Sequence, residues 1–371
     1  VLTLVAAGGC VVVSAPRAAG QGTTPPPAGP TESVYRRAAS APAASAPVPP
    51  ASLGGAAPTR RGSAAAAPPG AGEAVPAGGD SAAQISTAQI STAQISTAQI
   101  SAAQDSAAQA ERIVSATLAA LGRVGSISAR VRQKVRVGDR VLVGAGRYVQ
   151  SGLGEDQRYR LEVSMKADTE TFDVLEVCDG LFAWSYRRIG TQPPHLERID
   201  VRRVRDRVRQ MQPGDDAAVS AHLGGMQRTL ALVRSWFHFV AVEPSNIDDM
   251  PVWKVEGRWH PESLATLLPN LADAATRPGG IAPEELPDGM PWSVRLWIGK
   301  RDLLPFRIEW LAIPGRRPVA ARDPEPVAVL EMYEVRLDEP VDAAAFVYKP
   351  ATEGLIDVTE SHVQRLTPLR P

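Results

Sequence analysis

Along SISARVRQKVRV, residues 126–137, Ile127, Ala129, Val131, Val135 and Val137 alternate with Ser128, Arg130, Arg132, Lys134 and Arg136; Gln133 is the one polar residue on the apolar side. QRYRLEVSMK repeats the pattern, with Tyr159, Leu161, Val163 and Met165 set against Arg158, Arg160, Glu162, Ser164 and Lys166. Such alternation predicts strands with one face covered and the other wet, an antiparallel arrangement. Further strands are predicted over 141–150, 171–177, 182–187, 237–243, 252–259, 327–337 and 346–348. LWIGKRDLLPFRIEWL, residues 296–311, reads as a hairpin: Lys300, Arg301 and Asp302 suit a solvated turn, and Pro305 belongs at a strand start, edge or bulge.

Helical spacing interrupts the strands. Ala110, Val114, Leu118 and Leu121 share one face over 108–121, which Gly122 ends. Helices are also predicted over 201–211, 218–236 and 261–275, the last with Pro261 in the permitted first turn. The expected fold class is α+β: one large curved antiparallel sheet, an incomplete β-barrel, with helices covering its apolar concave face.

Acidic and basic residues balance at 40 each, so no net field draws the 371-residue chain toward nucleic acid or an anionic surface. All seven tryptophans lie between Trp184 and Trp310, whereas 21–79 is mostly Pro, Ala and Gly. That stretch buries too little apolar surface to offset its ordering entropy. The STAQI repeats that follow place isoleucine at 85, 90, 95 and 100. Five residues advance about 140° on a helix and switch faces on a strand, so neither geometry makes an apolar stripe. The expected division is an export segment over 1–20, a linker with the repeats over 21–110, a folded domain over 111–360 and a tail over 361–371. As a flexible coil, about 90 residues span roughly 50 Å, enough to hold a domain clear of a membrane.

VLTLVAAGGCVVVSA resembles the apolar region of a secretory signal without its charged leader, and is too short for a spanning helix. Cleavage near Ala15 or Ala19 would give a soluble exported protein. The alternative is acylation at Cys10, because Ala7, Gly8 and Gly9 resemble a lipobox, although leucine is usual where Ala7 stands. The expected location is the periplasm or, membrane-anchored, the cell envelope.

Catalysis finds little support. The five histidines (His195, His222, His238, His260 and His362) are scattered, and no Cys/His pair has metal-ligand spacing. There is no GxSxG elbow, Walker-type loop or strand-GxGxxG-helix unit. Capping explains the carboxylate pairs Asp215/Asp216, Asp248/Asp249 and Glu284/Glu285. No catalytic residue, metal or cofactor is expected, and Cys178 reads as a small buried hydrophobe. In IDVRRVRDRVRQM, Val201, Val204, Val208 and Met211 form one helical face and Arg202, Arg203, Arg205, Arg207 and Arg209 surround the other. The plain reading is a solvated surface; the competing one is a basic face for anionic membrane lipid or an envelope protein partner. Without interleaved aromatics it does not point to nucleic acid. Core packing accounts for most of the tryptophans, but a sheet curled into an incomplete barrel would leave an apolar cavity.

The order of elements and four stretches carry a resemblance. They are SISARVRQKV with RYRLEV, VCDGLFAWSY, WKVEGRW, and VRLWIGKRDLLPFRIEW followed by VAVLEMYEVRLDEPVDAAAFVYKP. Asp179, Gly180 and Trp184 resemble a D-G-x-x-x-W strand pair, and Asp302, Leu304, Pro305 and Arg307 a D-x-L-P-x-R hairpin tip. Over 111–358 the chain is similar to the LolA-like family of outer-membrane lipoprotein carrier and sorting proteins, as a divergent envelope member. The resemblance implies a half-barrel whose interior holds acyl chains of a lipid or lipoprotein, without enzymatic activity, in a monomer. The implied cavity lining is Tyr159, Leu161, Val163, Met165, Trp184, Trp253, Val255, Leu296, Ile298, Ile308, Trp310 and Tyr333. Relatives that sense envelope stress or carry glycolipids set an alternative, a sensor or adaptor binding a protein partner. The chain departs from the soluble carriers in its long tether, its extended arginine-rich helix and a Gly- and Pro-rich insertion around 277–291.

Overall fold

The computed structural model describes residues 2–6, 9–13, 81–213, 216–277, 280–313, 324–351 and 353–366, with side chains from residue 102 onward apart from 216–218. Two units divide the chain, Val1–Ala15 with Ile90–Pro371, and Pro16–Gln89. Within the second, only the helical residues 81–89 are described, so most of the expected linker lies outside the described residues. In the first, β1 (Leu2–Ala6) and β2 (Gly9–Val13) pair antiparallel with Val5 opposite Cys10. Helix α1 (Ser81–Arg123) carries the repeats as well as the amphipathic stretch expected at 108–121.

Tight turns set the next pairings. Gly138, at φ 60°, opens the two-residue turn between β3 (Ser126–Val137) and β4 (Arg140–Ser151). Asp168, at φ 53°, does the same between β5 (Arg158–Ala167) and β6 (Glu170–Cys178). Such turns need the left-handed region that Gly reaches freely and Asp tolerates. Then come β7 (Phe182–Ile189), β8 (His195–Asp200), α2 (Val201–Met211), α3 (Asp216–Leu223), α4 (Gly225–Trp236), β9 (Phe237–Ile247) and β10 (Met250–Trp259). After α5 (Pro261–Leu267) and α6 (Ala272–Thr276), the chain forms β11 (Ser293–Gly299), β12 (Pro305–Ala312), β13 (Glu325–Leu337), β14 (Leu355–Asp357) and α7 (Thr359–Arg365).

Twelve strands form one open sheet in the order β14-β8-β7-β6-β5-β4-β3-β13-β12-β11-β10-β9. All neighbours are antiparallel except β14 and β8. This is the α+β incomplete barrel expected. The hairpin β11–β12 matches its reading: Pro305 begins a strand, and the tip closes by Gly299 N–H to Leu304 O at 2.9 Å.

Four expectations differ. The helix expected over 218–236 breaks into α3 and α4 because Gly224 is extended and Gly225 takes a φ of 67°, and the Tyr159 side chain packs where a β-carbon on Gly224 would go. Pro269, which lacks the N–H a continuing helix needs, separates α5 from α6. Phe346 ends a 3₁₀ turn, Ala343–Phe346, and 346–348 form no strand. Helix α7 occupies the start of the expected C-terminal tail.

The helices lie on the sheet's apolar face. Ala110, Val114 and Leu121 of α1 and Leu230 and Val233 of α4 join one buried cluster with Leu161, Val163, Leu296 and Ile308. Helix α2 buries Val201, Val204 and Val208 and is capped by Asp200, whose carboxylate accepts the N–H groups of Arg202 and Arg203 at 2.9 and 3.3 Å. Helix α1 also covers the free edge of β9. Ser106 Oγ accepts the Val242 N–H at 3.0 Å, and Glu111 Oε1 the Phe239 N–H at 3.3 Å.

Candidate functional site

Cross-strand pairing decides which side chains share a face. Tyr159, Leu161, Val163 and Met165 of β5 lie opposite Gln150, Tyr148, Gly146 and Gly144 of β4. The same face continues through Ile308 and Trp310 of β12, Leu296 and Ile298 of β11, and Val255 and Trp253 of β10. Ten of the twelve expected lining residues are thus brought to the helix-covered face. Trp184 and Tyr333 are not. Trp184 pairs with Val177 and Arg198, and Tyr333 with Arg130, all on the other face. The Trp184 ring meets Tyr348 edge-on at 5.9 Å, and the Arg132 guanidinium lies 4.9 Å from the Tyr333 ring.

Nine of the ten are at most 5 % exposed, and Trp253 is half-buried. The centre of this face joins α1 and α4 in one buried cluster. A groove of about 740 Å³ opens among α1, α3, α4, α5 and α7. Arg228, Ala231, Leu232 and Ser235, at helical spacing i, i+3, i+4 and i+7, turn one stripe of α4 toward it. Leu118 of α1, Trp236, Ser263 of α5, and His362, Arg365 and Leu366 add to the wall. Ser263 Oγ donates to Ser235 O at 3.0 Å, tying α5 to α4, and His362 Nε2 lies 3.1 Å from His222 O, tying α7 to α3.

A smaller cavity, about 280 Å³, adjoins the groove and shares Arg228, His362 and Arg365 with it. Its wall is the far end of the sheet's inner face: Tyr159, Glu176, Ser185, Arg187, His195 and Glu197. Burial pushes the Glu176 carboxyl up to about 7, against the pull of Arg228 and Arg187. Burial also lowers the His362 imidazole to about 4, and Arg228 adds to the effect. The Tyr159 hydroxyl, raised by burial, donates to Leu223 O at 3.2 Å. Of the twelve expected residues, Tyr159 lines this cavity; Trp184 touches its border between Ala183 and Ser185, with its ring on the other face against Tyr348. Sequence reasoning missed Arg228, Leu232 and Arg365. It could have found Glu176, the one charged residue in the alternation Phe172, Val174, Glu176, Cys178.

The arginine-rich helix borders a third cavity, about 490 Å³, beside Leu181, which is 72 % exposed. Arg205 donates to Glu155 O, Arg209 to Glu155 Oε2 and Arg203 to Glu360 Oε1, each at 2.6 Å. Much of this basic face is therefore engaged within the protein. Burial pushes the Cys178 thiol up to about 12, which keeps it protonated and a poor nucleophile at neutral pH. Among the described residues no cluster of three or more His, Cys, Asp or Glu is placed to hold a metal, and no helix is long and apolar enough to cross a membrane.

No family model matches the chain, and no curated protein matches it significantly. Several solved structures are similar. The MucA/MucB complex of Pseudomonas aeruginosa matches at 10 % identity and TM-score 0.31, over 65 % of this chain and 61 % of that one. LprF from Mycobacterium bovis matches at 10 % and 0.31, over 63 % and 95 %. An outer membrane lipoprotein-sorting protein domain from Vibrio parahaemolyticus matches at 10 % and 0.25, over 66 % and 97 %. The last is the kind of protein that the sequence motifs resemble.

Proposed function

We propose that this is a non-enzymatic binding protein of the bacterial cell envelope that holds the acyl part of a lipid or lipoprotein. The single observation that carries the reading is the 740 Å³ groove. Its volume lies in the range of small-molecule sites, roughly 300–1,000 Å³. Its wall is amphipathic: Leu118, Ala231, Leu232, Trp236 and Leu366 offer apolar surface, and Arg228, Arg234 and Arg365 outnumber the one carboxylate, Glu262, although Arg234 is paired with Glu111. That combination suits an apolar chain with an anionic end. Each methylene moved from water into such a groove contributes about 0.8 kcal/mol, and exchange from one greasy environment to another needs no nucleotide. The ten inner-face residues are the packed floor on which the groove's helices rest. The apolar N-terminal segment supports export.

Native mass spectrometry after gentle extraction tests the reading. Acylated species that co-purify with the chain are expected. An empty domain that instead retains one protein partner would overturn the proposal in favour of an adaptor.

A further inference from the structure

Glu176 on β6 and Ser185 on β7 stand directly opposite each other on the sheet's inner face. The Glu176 residue is 4 % exposed, and both its Oε2 and the Ser185 Oγ are buried without a hydrogen-bond partner among the described residues. Buried polar atoms in folded proteins are nearly always paired, because leaving one unpaired forfeits its hydration. Two adjacent ones on the wall of one cavity mark a place where a ligand's own polar groups fit.

The charges around them define that ligand. Arg187 from β7, His195 and Glu197 from β8, Tyr159 from β5, Arg228 from α4, and His362 and Arg365 from α7 face the same space. Three guanidiniums outnumber two carboxyls. Arg228 and Arg365 belong to the acyl groove as well, so a molecule lying in the groove can place its end in this cavity.

We propose that the 280 Å³ cavity is a headgroup pocket for a hydroxylated phosphodiester, with the phosphate held by Arg228 and Arg365 and the hydroxyls by Glu176 and Ser185. The assignment rests on the groove holding an acyl chain. Guanidinium groups recognise phosphate oxygens through charge-assisted hydrogen bonds. Either form of the Glu176 carboxyl can bond a hydroxyl, but the ionised form repels the neighbouring phosphate, and burial favours the protonated form up to about pH 7. Affinity for the phosphodiester therefore falls as pH rises through neutrality.

Calorimetric titration of the full chain with three probes separates the cases. The probes are lauroyl lysophosphatidylglycerol, monolauroylglycerol with the same chain and no phosphate, and glycerophosphoglycerol with the head and no chain. At pH 6 the phosphodiester amphiphile is expected to bind at least tenfold more tightly than the neutral one, and several-fold less of that advantage survives at pH 8. In a His195→Gln background, Glu176→Gln makes the advantage independent of pH, and in Arg228→Gln it disappears. Equal binding of the two amphiphiles, or a pH dependence that persists in the His195→Gln, Glu176→Gln double variant, overturns the headgroup pocket and leaves the groove standing. Failure of both amphiphiles to bind removes the groove and this pocket together. Glycerophosphoglycerol binding as tightly as the amphiphile would make the cavity a site for a free phosphodiester and overturn the linkage to a chain.

Discussion

The hydroxyl of Tyr148, on β4, accepts the backbone N–H of Met226 at the start of α4 at 3.3 Å. It donates in turn to Gln150 Oε1 at 2.7 Å, and the amides of Gln150 and Gln227 both reach the Leu121 carbonyl, at 3.2 and 3.0 Å. The first turn of α4 and the last turn of α1, where backbone groups lack helical partners, are thereby fastened to the sheet and to each other. Tyr148→Phe leaves the Gln150 oxygen and the Met226 N–H buried and unpaired. The expected loss is about 1–3 kcal/mol, seen as a lower urea midpoint at unchanged slope; an unmoved midpoint would show that the network contributes nothing.

Gly146 has no room for a side chain. A β-carbon there would overlap the Glu162 carbonyl oxygen on β5, and one on Gly144 would overlap that of Ser164. These two glycines let β4 and β5 approach closely under the helices. Gly146→Ala is expected to cost about 1–3 kcal/mol, the usual range for overpacking, measured by thermal unfolding. A variant as stable as the parent would mean that the strands part without strain.

Glu176 and His362 set opposite pH slopes. The Glu176 pKa is raised from 4.5 to about 7 on folding, so the folded state binds the extra proton and stability falls as pH rises across that window. The His362 pKa is lowered from 6.5 to about 4, so the unfolded state binds the extra proton and stability rises with pH from 4 to 6.5. The two contributions oppose one another between pH 4.5 and 6.5; from 6.5 to about 7 the acid alone acts, and from 4 to 4.5 the histidine alone. Glu176→Gln should therefore be more stable than the parent at pH 8, by up to about 3 kcal/mol, and their difference should vanish below pH 4.5. Equal stability at pH 8 would contradict the buried-acid assignment.

Groove and floor respond differently to substitution. Leu232 is half-buried on the groove wall, whereas Leu296 is wholly enclosed. Leu232→Asp should fold and lose at least tenfold in affinity for monolauroylglycerol, about 1.4 kcal/mol or more, with Trp236 fluorescence as the local reporter. Leu296→Ala should cost about 2–5 kcal/mol of stability and leave the affinity of the folded fraction unchanged. The reverse pattern would return the ligand to the sheet face.

The strand pattern was legible because period two survives wherever one face is covered. In β3 and β5 it gave both the element and its buried side chains. It faltered where the covered face turns polar: β8 sets His195 and Glu197 beside Ile199 toward the small cavity, and no alternation marks it as a strand. Period two also yields two faces without saying which is inner. In β7 the aromatic face, Phe182, Trp184 and Tyr186, looks away from the helices and is covered instead by groups such as Tyr348 and Arg198. The break at Gly224–Gly225 is a non-helical backbone that periodicity does not register, and Tyr159, distant in sequence, fills the space a β-carbon on Gly224 would need. The groove has the same origin. The stripe Arg228, Ala231, Leu232 and Ser235 reads as a helix face, but only packing shows that α5 and α7 stand off from it.

The clasp of Ser106 and Glu111 closes two backbone N–H groups on the outer border of β9. An open strand border with unclaimed N–H groups invites another chain to add itself, and here two polar side chains of one helical turn and a half occupy that border. A proteolytic cut ahead of Ser106 leaves the guard in place, however long or short the leader it removes. A cut just past Glu111 strips the guard away and leaves the Phe239 and Val242 N–H groups of that border open to an added strand.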